Sequence, residues 1–90
     1  MPKRVVEIPV FGKSVAAYAR TPEARTVVAF LVKRATSFPE AAPALPDCNL
    51  RVATSTSFGS HPALRLFYSV EEEAIFLIEI GPWDELEDSF

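Results

Sequence analysis

The sequence predicts an α+β fold of order β-α-α-β-β-β, with two N-terminal helices packed on a small, mainly antiparallel sheet. Three patterns carry this expectation. Apolar residues between Phe11 and Phe38 recur at helical spacing, Leu64 to Val70 alternates at strand spacing, and Ala74 to Ile80 is apolar on both faces except at Glu79. Glu71, Glu72 and Glu73 join the last two pieces, so Leu64 to Ile80 reads as a buried antiparallel hairpin.

The other elements follow in order. Val5 to Val10 (VVEIPV) is rich in β-formers, and Pro9 puts this strand at a sheet edge or ends it there, because proline cannot donate to a ladder. Phe11, Val15 and Tyr18 then fall on one helical face, with Lys13 and Arg20 on another. Thr21-Pro22-Glu23 supplies an N-cap, a proline suited to the first helical position and an acid at the positive helix end. The second helix buries Ala24, Val28, Leu31, Ala35 and Phe38, leaves Arg25, Lys33 and Arg34 outside the core stripe, and stops at Pro39. Three prolines between Pro39 and Asp47 make that stretch a connector. Leu50 to Ser57 alternates Leu50, Val52, Thr54 and Thr56 against Arg51, Ala53 and Ser55, a half-exposed strand, and FGSHPA turns the chain into the hairpin.

Ninety residues suffice for one domain, expected over 1–90 with an acidic tail from about 82 onward; a chain this short buries roughly 60 to 65 % of its unfolded surface. Hydrophobic residues make up 49 % and charged residues 23 %, which predicts a packed fold rather than disorder. Cys48 is the one cysteine, so neither a disulfide framework nor a cysteine-rich zinc site is expected, and a reducing cytoplasm fits best. No apolar run has the length of a signal peptide or of the roughly 20-residue membrane span. The net charge of −3 conceals a division: Met1 to Arg65 holds all nine bases against four acids, a balance of +5, and the remainder holds eight acids and no base, −8. That asymmetry reads as a basic working surface with an acidic tail competing for it, as an acidic tail offered to a partner, or as a dipolar surface without a role.

One histidine, one cysteine and no glycine-rich loop exclude a nucleophile elbow, a phosphate loop and a histidine-rich metal cluster. The three consecutive glutamates lack the spacing of a calcium loop, and no metal or cofactor is expected. What remains is a set of cations on or beside the sheet: Arg51 and Arg65 on strands, His61 in the joining loop, Lys13 and Arg20 on the first helix. Such cations suit a polyanion, because phosphate contacts supply most nucleic-acid affinity and arginine clamps a phosphate with two donors. The plain alternatives are that Arg65 pairs with Glu79 across the hairpin, that Tyr68 and Phe67 are core rather than base-stacking residues, and that His61 is a loop residue.

The element order, together with LRLFYSVEEEAIFLIEIGPWDEL, resembles the RelE/ParE superfamily of bacterial toxin–antitoxin toxins, residue by residue over Leu64 to Glu85 and in element order over nearly the whole chain. The resemblance implies a cognate antitoxin as partner. Its ribonuclease members bind messenger RNA on the ribosome and drive the 2′-hydroxyl onto the adjacent phosphate, which needs positive charge at the phosphate and an acid–base group. Carried over, Arg65 matches the strand arginine beside the scissile phosphate, and Arg51 lies where a second base often stands. In GPWDELE, Trp83 replaces the family's histidine and Glu87 its terminal tyrosine, which leaves Tyr68 or His61 to move protons. The implied candidates are therefore Arg65, Arg51 and Tyr68 for catalysis and Lys13, Arg20, Arg51, His61 and Arg65 for RNA. Two functions stay open: an RNA- and ribosome-directed translation inhibitor, an endoribonuclease if it is an enzyme, and a non-catalytic relative that acts on a protein such as a gyrase or on its antitoxin. In either, Asp84 to Asp88 could cover the groove of its own chain.

Overall fold

The computed structural model describes residues 3–46, 49–56 and 63–82. They form β1 (Arg4–Glu7), α1 (Pro9–Tyr18), α2 (Pro22–Ser37), β2 (Leu50–Thr54), β3 (Leu64–Val70) and β4 (Ala74–Pro82). The four strands make one sheet of order β1-β4-β3-β2, antiparallel except that β1 runs parallel to β4. Both helices pack on one face, so the expected α+β architecture holds. Cys48, His61, Ser57 and residues 83–90, with Trp83, Glu87 and the Asp84 to Asp88 stretch, lie outside the described residues.

The first strand is shorter than its sequence implies. It stops at Glu7, and Pro9 begins α1 instead of ending a strand: a residue without an N–H and with a preset φ costs a helix nothing in its first turn. β1 is nevertheless an edge strand. α1 buries Phe11 and half-buries Val15, but Tyr18 is 44 % exposed, a correction to its assignment to the core face. The helix ends at Tyr18, and Ala19, just past it, takes the buried place. Arg25 Nε of α2 donates to Ala19 O at 3.2 Å and caps that end.

α2 begins as expected, with Thr21 Oγ1 accepting from Ala24 N–H at 3.1 Å and Pro22 in the first turn. Ala24, Val28, Leu31 and Ala35 are buried, one stripe along about three turns. Phe38 is not part of it. The helix ends at Ser37, the backbone of Phe38 leaves helical geometry at φ −134°, and the ring is 68 % exposed. The connector after it lies along the outer edge of β2: Ala44 bridges Arg51, Leu45 N–H donates to Leu50 O at 2.8 Å and Val52 N–H to Pro43 O at 3.2 Å. An otherwise bare strand edge is thereby covered.

β3 has the predicted limits, and β4 runs two residues further, to Pro82. Glu71 N–H donates to Ala74 O at 2.8 Å to close the turn, all three glutamates are exposed, and Lys3 Nζ donates to the Glu71 and Glu72 carbonyls at 2.7 Å each. Leu64, Leu66 and Tyr68 of β3 meet Ile75, Leu77 and Ile80 of β4 on the helix side, and with Leu31 these make the floor of the core. Between Phe67 and Tyr68 the β3–β4 register slips by one, so that Glu79 opposes Phe67 while Leu77 opposes Tyr68. Ile78 is the extra residue of a β-bulge. Without it, alternation would aim Glu79 at the core and Ile80 at solvent; with it, Ile80 is fully buried and Glu79 exposed.

α1 stabilises the chain just past the bulge. Buried Ser14 donates to Phe11 O at 2.8 Å, and its Oγ accepts the Ile80 N–H at 3.0 Å. β1 has already ended by then, its last ladder bond being Ile8 N–H to Leu77 O at 3.2 Å. A helix side chain thus satisfies a donor that the short strand leaves over.

Candidate functional site

Strand alternation sorts the candidate residues onto two faces. On β3, Leu66 and Tyr68 point into the core beneath the helices, so Arg65, Phe67 and Ser69 point to the other, open face. β2 pairs Thr54 with Arg65 and Val52 with Phe67, and β4 pairs Gly81 with Arg65 and Glu79 with Phe67. Paired residues share a face. Arg65 therefore sits on the open face between Thr54 and Gly81, with Phe67 and Glu79 one step along.

The Arg65 guanidinium carbon lies 5.1 Å from the centre of the Phe67 ring, and Nε and Nη2 are screened from solvent. Stacking on an aromatic face holds an arginine in a fixed orientation, which long surface side chains otherwise lose. A methyl group at Gly81 would meet no heavy atom within 4 Å, so β4 leaves space beside this cation. Glu79 does not stand across from Arg65, as an unbroken cross-strand ion pair requires; the bulge sets it opposite Phe67. Half-buried Phe76, Ile78 and Val6, with Val52, make the surroundings largely apolar.

Arg51 and Tyr68 are a directly opposed pair on the helix side. Arg51 Nη1 donates to Ala42 O at 2.6 Å and to Glu40 O at 3.2 Å, and Tyr68 Oη donates to Pro39 O at 2.8 Å. Both side chains hold the connector against the sheet. Burial raises the Tyr68 pKa above its ordinary value of 10.0, while the positive charges of Arg51 and Arg34 pull it the other way. The sheet thus separates Arg65 from Arg51 and Tyr68. Lys13 and Arg20 are exposed on and just after α1, and are not on the open sheet face. Of the cations named from the sequence, Arg65 alone stands on that face among the described residues.

Alternation alone could not sort these residues, because Arg51 and Arg65 both sit on alternating strands and the period is the same whichever parity faces the helices. One signal was available. Leu64, Leu66 and Tyr68 are the bulkier set on β3, and bulk marks the core side. The connector's unpaired carbonyls, which claim Arg51 and Tyr68, become visible only in three dimensions. Among the described residues no group of three or more histidine, cysteine or acidic side chains is arranged to hold a metal ion, and no helix is long and apolar enough to cross a membrane.

No family model and no curated protein matches the sequence. Among solved structures, the toxin RelE of E. coli, in the free state as a double arginine-to-alanine mutant, superposes with a TM-score of 0.64 over 97 % of this chain and 90 % of that one, at 16 % identity. This chain, with its mixed four-stranded sheet and two helices on one face, thus has the RelE-like fold.

Proposed function

We propose that this protein is the toxin of a toxin–antitoxin pair, with an RNA- and ribosome-directed action that inhibits translation and with Arg65 as its phosphate contact. The reading rests on the placement of Arg65: a guanidinium stacked on Phe67, on the face of a RelE-like sheet opposite the two helices, across from Gly81. Stacking fixes the guanidinium, so a phosphate that reaches it meets an already ordered side chain. Arg51 and Tyr68 act as positioning residues for the connector and do not reach the same phosphate. The open face offers Glu79 as its exposed carboxylate but, among the described residues, no tyrosine or histidine to complete an acid–base pair. Tight binding at the ribosome rather than rapid cleavage is therefore the action expected of this part of the chain.

A second reading has its own observation. Phe67, Phe76, Ile78 and Val52 make the surroundings of Arg65 apolar, which suits a protein target as well as RNA. Inducible expression without any partner distinguishes the two. The first reading expects growth arrest with reduced peptide synthesis, lost in Arg65→Ala and only weakly restored in Arg65→Lys; arrest that persists undiminished in Arg65→Ala favours the protein target, and normal growth of the wild type removes both.

A further inference from the structure

α2 and the residue after it carry apolar side chains that none of the described elements covers. Phe30 is 61 % exposed and Phe38 68 %, more than any other large apolar residue among those described. They are not scattered. With Lys33, Arg34, Ser37 and Ala41 they line one shallow depression of about 460 Å³ on the flank of α2 turned toward the connector. Its floor is almost wholly apolar, and its cationic rim is Lys33 and Arg34. This flank is separate from Arg65, which lies across the sheet.

We infer that this flank of α2 is a docking surface for an acidic amphipathic helix of a partner protein. Two features choose that occupant. The first is charge: Lys33 and Arg34 lie between Phe30 and Phe38 in the chain, and among the described residues no acid lines the depression, so a partner with carboxylates flanking its apolar anchors is complementary. The second is extent. The depression runs from Phe30, about two turns before the end of α2, to Phe38, just past that end, and so offers a ring at each end to paired anchors along a second helix. Successive nucleotides of a strand are only about 3.4 Å apart, so the two rings do not serve as a platform for neighbouring stacked bases. If the chain is a toxin, the partner helix belongs to its antitoxin, and it binds without touching Arg65; the surface itself does not depend on that reading.

The test uses the full chain and a designed probe: a helical peptide of about 16 residues, leucine at i, i+3, i+4 and i+7 positions and glutamate elsewhere, with a lysine version as control. Fluorescence anisotropy should detect binding of the glutamate peptide and not of the lysine one. The double change Phe30→Ser with Phe38→Ser should weaken it about tenfold or more, as loss of two aromatic anchors does. Lys33→Glu with Arg34→Glu should abolish it and create binding of the lysine peptide, an outcome that a misfolded variant cannot give. Arg65→Ala should leave the affinity unchanged whether or not it changes growth. No binding, binding that ignores both double variants, a stronger preference for single-stranded RNA, competition by a free peptide of residues 82–90 that alone needs Phe30 and Phe38, or a dimer that these variants dissociate would each overturn the assignment.

Discussion

Tyr68 shows how one side chain can carry a family resemblance and still have a structural task. Its ring is fully buried, and its hydroxyl donates to the carbonyl of Pro39, twenty-nine residues earlier, at 2.8 Å. Removing the hydroxyl leaves that carbonyl without its donor, which costs about 1 kcal/mol. For a chain of this size that is a loss of roughly 4 to 8 °C in Tm, so Tyr68→Phe should show it by thermal melting. The same group sets an alkaline limit. Because burial raises its pKa, the folded state holds the phenol proton more tightly than the unfolded one; its contribution is complete below the ordinary 10.0 and is lost as pH rises past that value toward the folded pKa. Urea midpoints from about pH 8 to about pH 11 should fall at the upper end in the wild type and fall less in Tyr68→Phe. Arg65 differs: under the proposed function, its placement over Phe67 predicts a large loss of growth arrest on substitution by alanine with folding retained.

At the level of elements, β4 depends on neighbours that the sequence separates widely. Its bulge at Ile78 keeps Ile80 in the core, and Ser14 of α1 takes the Ile80 N–H at 3.0 Å. Ser14→Ala removes the acceptor of a buried donor and should cost about 1 to 3 kcal/mol, read as a lower urea midpoint with an unchanged slope. The slope matters: a change there would mean that α1 had detached rather than that one bond was lost. Helix α2 illustrates the reverse. Its capping and core stripe are local, so Thr21, Ala24, Val28, Leu31 and Ala35 behave as their spacing requires, whereas Phe38 lies one residue past the helix end and its direction is set by the chain's exit. That exit turns Phe38 from a core residue into half of an exposed aromatic pair. The expected consequence, tenfold weaker binding of an acidic helical peptide on loss of Phe30 and Phe38, is a property of the element's surface and not of its stability.

For the molecule as a whole, the sheet is a partition. One face packs against α1 and α2 through Leu66, Leu77, Ile80 and Tyr68; the other carries Arg65, Phe67 and Glu79. Leu66 is fully buried at the middle of the partition, and Leu66→Ala should cost about 2 to 5 kcal/mol, a large part of the roughly 5 to 15 kcal/mol that holds a small domain together. Equilibrium urea unfolding checks it. Under the proposed function, loss of growth arrest in Leu66→Ala would accompany unfolding, while loss in Arg65→Ala should occur with the fold retained, and the contrast separates a fold effect from a site effect.

The sequence by itself determined the element order, the limits of β3, the N-terminal cap of α2 and the α+β class, because these depend on contacts within a few residues: hydrophobic period, a cap three residues from its donor, prolines that end what precedes them. Tertiary structure decided the rest. Which parity of β2 and β3 faces the helices depends on where the helices return, and that choice put Arg51 and Tyr68 on one side of the sheet and Arg65 on the other. It also let the connector's carbonyls claim the first two, and left Phe38 outside the core. A strand repeats every two residues whichever way it is turned, so its period identifies a strand but carries no information about which face will be buried.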